Sequence, residues 1–438
     1  MTMDVQLNRR DMVKATGGSA LAAALAGCSA LLGEEDGNGG QPQTADIPDE
    51  PIEAGLQTFR EGAPAVLGLQ AEYGCRTAVR RINEVGGIAG REIELDVVEE
   101  AGGAIENYTR FVDEGKDVTF GPISSGSHEE MVPVVEEQGV INIATDGTVT
   151  DLYEESFPDP QYSFRTQNHD VMEAVAAARA AVRDLGADNI DTFANINPNY
   201  TFGYDEREVF NAAIESLTGA EEVYEGYPDL GADDMSSHVT AVSNEEPDVL
   251  FTSCWGGDAT LLLDQGQSQG LFDDVGVSVG TVWYGSVNDL TESDIEGNLW
   301  GGSRNYYWDS PRMDQWPPGQ ELFDEARAEH DVVPTAHFMS GYAPVTAWAT
   351  AVEKAVQLVG GWPTQEQIAA TLENHGFYTP AGYHTIGPDH QGYSTAHFGR
   401  IEWDDDMDIA VLEDVETIPP NHVSPPQGTT TLDWIENW

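Results

Sequence analysis

Basic residues are scarce in this chain. Its 438 residues carry 19 Lys+Arg against 77 Asp+Glu, a formal charge of -58. Lysine stands only at Lys14, Lys116 and Lys354. A surface that binds nucleic acid needs clustered Lys and Arg, so nucleic acid is excluded as a partner. Cysteine is scarce too, at Cys28, Cys75 and Cys254. There is no CxxC pair and no metal-type cysteine spacing, and Cys75 and Cys254 are expected to be two free, buried thiols. Long apolar runs are absent. The apolar stretch at residues 20–26 is far shorter than the roughly 20 residues a membrane-spanning helix needs, and no later segment is longer and apolar enough. Common catalytic motifs are missing as well: no GxSxG elbow, no HExxH, no Walker loop and no GxGxxG. No enzymatic activity and no cofactor are expected. His384, His390 and His397 cluster in sequence, but six- and seven-residue spacings match no standard metal site, and no metal is expected. The acidic run WDDDMD (403–408) reads as a solvated turn, since it lacks the Gly and terminal Glu of an EF-hand loop.

What is present begins with "LNRRDMVKATGGSALAAALAGC", residues 7–28. Arg9-Arg10 followed by a short, Ala-rich apolar stretch resembles a twin-arginine export signal. "LAGC" resembles a lipobox, with cleavage before Cys28 and lipidation of its thiol. Residues 1–28 are therefore expected to be a signal. The next stretch, 29–62, is rich in Gly, Pro, Gln and acids and cannot bury enough surface to offset chain entropy. It is expected to be a disordered acidic tether. Together these place the folded part outside the cell membrane, as an anchored lipoprotein.

The negative charge is spread along the whole chain. A charge this high normally opposes compaction by self-repulsion. At 1 M salt the Debye length falls to about 3 Å, so the composition suits a protein that works in molar salt. The low lysine content resembles that of haloarchaeal proteins. Disorder is the competing account, and 40% hydrophobic residues with 10 Trp and 15 Tyr exclude it for the body of the chain.

Beyond the tether, periodicities of two and of about 3.6 alternate. "AVLGLQ" (65–70) reads as a short buried strand, and 74–87 as a helix with Ala78, Ile82 and Val85 on one face. Strands and helices then alternate through 91–144, and again from the amphipathic helix at 171–186 to the strand at 275–283. The fold class is therefore α/β, with two Rossmann-like lobes of parallel sheet. In open sheets of this kind ligands bind beyond the carboxyl ends of the strands, and two facing lobes make a cleft that closes by hinge motion.

Five stretches in order resemble a known family. They are "AVRRINEVGGIAGREIEL", "GPISSGSHEEMVPVVEEQGVINIAT", "YSFRTQNHD", "INPNYTFGYDEREVF" and "FYTPAGYHTIGPDHQGYSTAHFGRI". They resemble type I periplasmic-type solute-binding proteins of ABC importers, in the leucine/isoleucine/valine-binding branch that also takes amides and urea. The resemblance implies two lobes joined by a three-crossover hinge, with crossings near 165, 300 and 385. The N-lobe would comprise 63–165 and 303–385, the C-lobe 166–302 and 386–415, and 416–438 would be a tail. The segment 336–361 would be a long helix of the returning N-lobe.

The resemblance also implies a ligand site. Ser124 and Ser125 fall in the N-lobe loop where a serine grips the ligand carboxylate; a plain turn with an N-cap serine is the alternative. Ala144 and Asp146 fall where relatives offer a backbone carbonyl and a Thr hydroxyl. Asp146 departs from that pattern. It suits an ammonium or amide N–H through a charge-assisted bond, or else it is a surface acid or helix cap. From the C-lobe, Tyr200, Phe202, Trp255 and Trp283 match or lie near aromatic and acidic contacts, with hydrophobic core as their alternative. Trp283 stands near where amino-acid binders carry an acid, a second departure. The expected function is capture of a small polar ligand (an amino acid, an amide or a urea-like compound) and delivery to the transmembrane permease subunits, by a monomer. An extracellular sensory receptor of the same fold is the other reading.

Overall fold

The computed structural model describes residues 46–311 and 313–438. The expected signal, Cys28 and most of the expected tether lie outside these residues. The first strand, β1 (Ile52–Thr58), corrects the tether's end: every residue of it except Glu53 is buried. Ile52, Ala54, Leu56 and Thr58 alternate inward at the strand period. The acids before β1 hide this alternation in the composition.

Strands β2 (Ile93–Glu99), β3 (Val118–Phe120), β4 (Asn142–Ala144) and β5 (Ser163–Arg165) join β1 in one parallel sheet, in the order β2-β1-β3-β4-β5. Residues 65–70 are not the expected strand. They open the helix Ala65–Glu84, because Leu67, Ala71, Cys75 and Ala78 continue one buried helical stripe. A six-residue window sees an apolar run, whereas the stripe emerges only over three turns. This helix packs against the helix Ala336–Val359, found where the long helix is expected. Gly74 and Gly341 allow the approach: a Cβ on Gly74 would lie 1.8 Å from the Phe338 carbonyl oxygen, and one on Gly341 would lie 1.9 Å from that of Ala71.

The second lobe repeats the plan. Strands β6 (Thr192–Ile196), β7 (Glu221–Gly226), β8 (Val249–Thr252), β9 (Val277–Gly280) and β10 (Leu299–Gly302) are parallel, in the order β7-β6-β8-β9-β10. This is the first lobe's order with new members. β14 (Ala396–Asp404) then pairs antiparallel with β10, and β15 (Ile409–Ile418) antiparallel with β14. A small antiparallel sheet of β11 (Gly376–Thr379), β12 (Gly382–Ile386) and β13 (Gly392–Tyr393) sits beside β5, where Arg165 N donates to His390 O at 3.0 Å. The chain thus crosses between lobes after β5, after β10 and between β13 and β14. The third crossing falls about ten residues later than the resemblance implied, because β12 and β13 still belong to the small sheet. The expected tail at 416–438 is corrected too. β15 extends to Ile418, and Val423 and Ile435 are buried in the second lobe's core.

Scarce cations are placed where acids surround them. Lys116 Nζ donates to Glu53 at 2.9 Å and also to Asp96. WDDDMD forms the tight turn between β14 and β15, with Asp404 Oδ1 accepting from Asp406 N and Met407 N, each at 2.9 Å. Cys75 and Cys254 are free and buried, as expected. Burial pushes the Cys254 thiol up to about 12.

Candidate functional site

In an open sheet with this strand order, the switch point is where neighbouring connections leave in opposite directions, and a crevice opens at the carboxyl ends there. The first lobe has its switch between β1 and β3, the second between β6 and β8. Both crevices contribute to one small cavity, bounded from the first lobe by Leu67, Ile123, Ser125, Asp146 and Thr148, and from the second by Tyr200, Phe202, Trp255 and Val282. Arg304, in the crossing that follows β10, completes the wall.

Each wall residue is delivered by a strand end. After β3 the chain turns into the helix Ser125–Gln138. Ser124 caps it, its Oγ accepting from Ser127 N at 3.4 Å. The cap reading therefore holds for Ser124, while Ser125, one residue on, is on the cavity wall. The first N–H groups of a helix lack intrahelical acceptors and carry the positive end of its dipole. A buried carboxylate props the loop from behind: Glu100 accepts from Ile123 N and Ser124 N, each at 2.9 Å. Burial pushes Glu100 up to about 8. After β4, the backbone of Asp146 and Gly147 donates to the carbonyls of Pro122 (3.3 Å) and Ile123 (3.0 Å), locking the two first-lobe loops together.

From the second lobe, Tyr200 precedes the helix Thr201–Thr218, and Trp255 follows β8. The Trp255 indole N–H donates to the Tyr200 hydroxyl at 3.0 Å. Tyr200 also leans on Phe202, with ring centroids 6.0 Å apart. These three aromatics form one wall.

Two residues stand elsewhere than the sequence implied. Ala144 is fully buried at the end of β4 and is not among the residues that line the cavity. Trp283 is core. It is fully buried, its ring meets Phe272 edge-on at 6.3 Å, and its neighbour Val282 takes the cavity wall. The short 3-10 turn Trp283–Asp289 reverses the chain at this point and turns the indole inward.

Asp146 is on the wall, but the cation it holds is internal. Arg304 Nη1 donates to Asp146 Oδ1, and Arg304 Nε lies 2.7 Å from Glu173 Oε1. His337 Nε2 lies 3.2 Å from Asp146 Oδ2, off the line of a good hydrogen bond. Of the carboxylate expected to take a ligand ammonium or amide N–H, the Arg304 guanidinium thus holds Oδ1. Burial raises the Asp146 carboxyl, and Arg304 with His337 outweighs that and holds it below the usual range. Glu173 is pushed up to about 8 by burial, with Arg304 opposing. Asp170, behind it, rises to about 6 for the same reason. Asp205 and Glu206 rise well above the carboxylate range. Arg304 thus ties a first-lobe carboxylate to a second-lobe one, through the hinge.

Arg304 escaped the sequence reading. Its one signal is an arginine, in a chain poor in them, inside "GGSRNYY" at an expected crossing. Arg165, fully buried at the first crossing, has a supporting role: it donates to the carbonyls of Gly147 (2.8 Å) and Val149 (2.7 Å). Among the described residues no group of three or more His, Cys, Asp or Glu is arranged to hold a metal ion. His384 pairs with Thr379 Oγ1 at 2.8 Å, His390 stacks on Phe164 at 3.8 Å, and His397 Nδ1 lies 3.1 Å from Arg304 O.

A family model described as periplasmic binding protein matches residues 51–406. A Leu/Ile/Val-binding protein of Rhizobium johnstonii is 23% identical, covering 74% of this chain and 83% of the relative. A leucine-, isoleucine-, valine-, threonine- and alanine-binding protein of Pseudomonas aeruginosa is 22% identical over 79% of this chain and 88% of its own. Among solved structures, an ABC-transporter solute-binding protein of Rhodopseudomonas palustris in complex with 3,4-dihydroxybenzoic acid superposes with TM-score 0.74 at 18% identity, covering 87% of this chain and all of that one. A branched-chain amino acid substrate-binding protein of Streptococcus pneumoniae in complex with isoleucine gives TM-score 0.69 at 18% identity, over 84% of this chain and all of that one.

Proposed function

Because the chain belongs to the periplasmic binding protein family, we propose that it captures a small solute between its two lobes outside the cell membrane and delivers it to the transmembrane permease subunits of an ABC importer. The observation that carries this is the cavity itself. It lies at the switch points of both sheets and is walled by both lobes and by a hinge residue. Such a cavity is completed only when the lobes close. Ligand that binds the closed form better than the open one shifts the population toward it, and closure is the signal a permease can read.

The wall suits a ligand with a small polar head and an apolar or flat body. Ser125 and the helix behind it face the head, and Tyr200, Phe202 and Trp255 face the body. The small amino acids of the Pseudomonas aeruginosa relative and the dihydroxybenzoic acid of the Rhodopseudomonas palustris protein share that outline. In the same reading the protein works as a monomer, held to the outer face of the membrane by a lipid on Cys28. Among the described residues no helix is long and apolar enough to cross a membrane.

The test is a thermal-shift screen of the chain in molar salt against amino acids, aromatic and aliphatic carboxylic acids, amides and urea. A ligand that binds only the folded state stabilises it by about 2.7 kcal/mol at a hundredfold excess over Kd. A saturable shift with one class is expected. Absence of a shift across all classes would remove the capture reading.

A further inference from the structure

We propose that residues 419–438 form a clasp across the two lobes that favours the closed form and so sets how tightly any solute is retained. The clasp itself is a property of the fold; its effect on affinity rests on the solute-binding reading above and deepens it.

The segment is anchored in the second lobe. Val423 and Ile435 are buried in that lobe's core, and Trp434 packs against the same cluster. Trp438 meets Trp434 edge-on at 5.1 Å, and its ring lies 5.3 Å from the guanidinium carbon of Arg179, on the helix Asp170–Leu185. From this anchor the segment reaches the first lobe. Glu154 Oε2 accepts from Thr431 N at 3.0 Å, and Oε1 accepts from the Thr431 hydroxyl at 2.7 Å. Glu154 is fixed on its own side. It stands in the turn Leu152–Ser156, between β4 and β5, and its neighbours Leu152 and Tyr153 are buried against Val132 of the helix Ser125–Gln138. Pro425 and Pro426 stiffen the link that leads to Thr431, so less freedom is lost in holding it there.

The bridge adjoins the ligand cavity. Thr150, two residues past Thr148 on the wall, donates its N–H across the lobes to Asp205 Oδ2 at 2.9 Å. Asp205 belongs to the helix that Tyr200 precedes. The loop and the helix that part when the cavity opens are therefore the ones bridged here. Asp151, Glu154 and Glu155 of the first lobe line this crevice together with Asp205 and Glu208 of the second, and among the described residues no Lys, Arg or His lines it. No cation joins the lobes at this point, so Thr431 supplies the donors. Both go to one carboxylate, in bonds of the charge-assisted kind. They are made only while the lobes are together.

The experiment measures the distance between one spin label in each lobe, without ligand, in the full chain in molar salt. The labels are attached through Val85→Cys and Leu230→Cys, at two exposed positions, with Cys28→Ser added; Cys75 and Cys254 are buried. The clasp is broken by Thr431→Pro, which removes both donors. Proline suits the first position of the helix Thr431–Ile435, and Thr430 already has the extended backbone required before it (φ -70°, ψ 157°), so the anchor is kept. Label distances are expected to lengthen, with the ratio of open to closed form rising at least about threefold, as loss of one or two net hydrogen bonds implies. Where the open form dominates, every ligand weakens by that same factor, since apparent Kd varies inversely with the closed fraction, and relative affinities among ligands stay the same. Thr431→Val, which loses only the hydroxyl, is expected to shift the same way by less. Adding Glu154→Gln to Thr431→Pro should open the lobes no further, because the shared contact is already gone. Unchanged label distances in folded forms of Thr431→Pro and Thr431→Val overturn the clasp. A loss of affinity confined to one ligand class overturns it as well, because that places the effect inside the cavity. Lengthened distances with no binding by any compound of the wider screen support the clasp and overturn solute capture.

Discussion

The Arg304 strut makes a prediction that can be worked through. Asp146 and Glu173, from different lobes, share one guanidinium, and all three side chains are about 5% exposed or less. They are not equivalent. Asp146 is ionised at neutral pH, whereas Glu173, pushed up to about 8 by burial, is largely protonated there. Removing one partner of a buried pair costs about 3–5 kcal/mol when nothing replaces it. In Asp146→Asn, Glu173 is placed to ionise and take over, so the loss should be smaller, about 2–3 kcal/mol at pH 7. Glu173→Gln replaces a largely neutral acid by a neutral amide and should cost less than about 1 kcal/mol. In the double variant Arg304 has lost both takers of its charge, and the loss should exceed the sum of the singles by more than about 1 kcal/mol, within the range of coupled neighbours. The assay is denaturant unfolding of the four proteins at one molar salt concentration, with both lobes monitored. Additive losses, or a Glu173→Gln loss as large as that of Asp146→Asn, would refute the reasoning.

Three further outcomes follow from the same geometry. Ser124→Ala should lower stability by about 1 kcal/mol through loss of the helix cap and leave ligand affinity close to wild type, whereas Ser125→Ala should weaken the ligand with little effect on unfolding; unfolding curves and titration calorimetry separate the two. Trp283→Ala should cost about 3–5 kcal/mol, as large core deletions do, and calorimetry or circular dichroism would reveal it as a folding defect. Glu100 and Glu173, pushed up to about 8 by burial, and Asp170, pushed up to about 6, keep protons in the folded state that the unfolded chain releases above its usual carboxylate range. Folding therefore binds protons, and stability should fall as pH rises from about 6 to 9; Glu100→Gln should flatten that slope, and a stability that climbs across this window in molar salt would contradict the assignment.

The sequence carried the two-lobe plan because periodicity survives even in a chain this acidic. The strands at β2–β4 and β6–β9 and the helices between them follow their hydrophobic patterns. What failed did so for local reasons. β1 lies among acids and prolines that resemble a tether. The helix Ala65–Glu84 begins with an apolar run that mimics a strand until its third turn. The final segment looks like a polar tail, although Val423 and Ile435 anchor it. At the site, Ser125, Asp146, Tyr200, Phe202 and Trp255, implied by the family resemblance, do reach one cavity. Trp283 does not, because direction within a loop decides between wall and core, and adjacent residues such as Val282 and Trp283 differ only in that. Arg304 was missed because a lone arginine at a crossing becomes informative only when its partners from both lobes are seen.

The most direct measurement compares wild type with Trp255→Ala. A compound that stabilises the wild-type chain in molar salt is titrated into both proteins, after unfolding curves have established that the variant is folded. Solute capture between the lobes predicts binding at least about tenfold weaker in the variant, the loss of roughly 1.4 kcal/mol that a missing aromatic contact accounts for. Equal affinity in the two proteins would place the ligand outside this cavity and contradict the account.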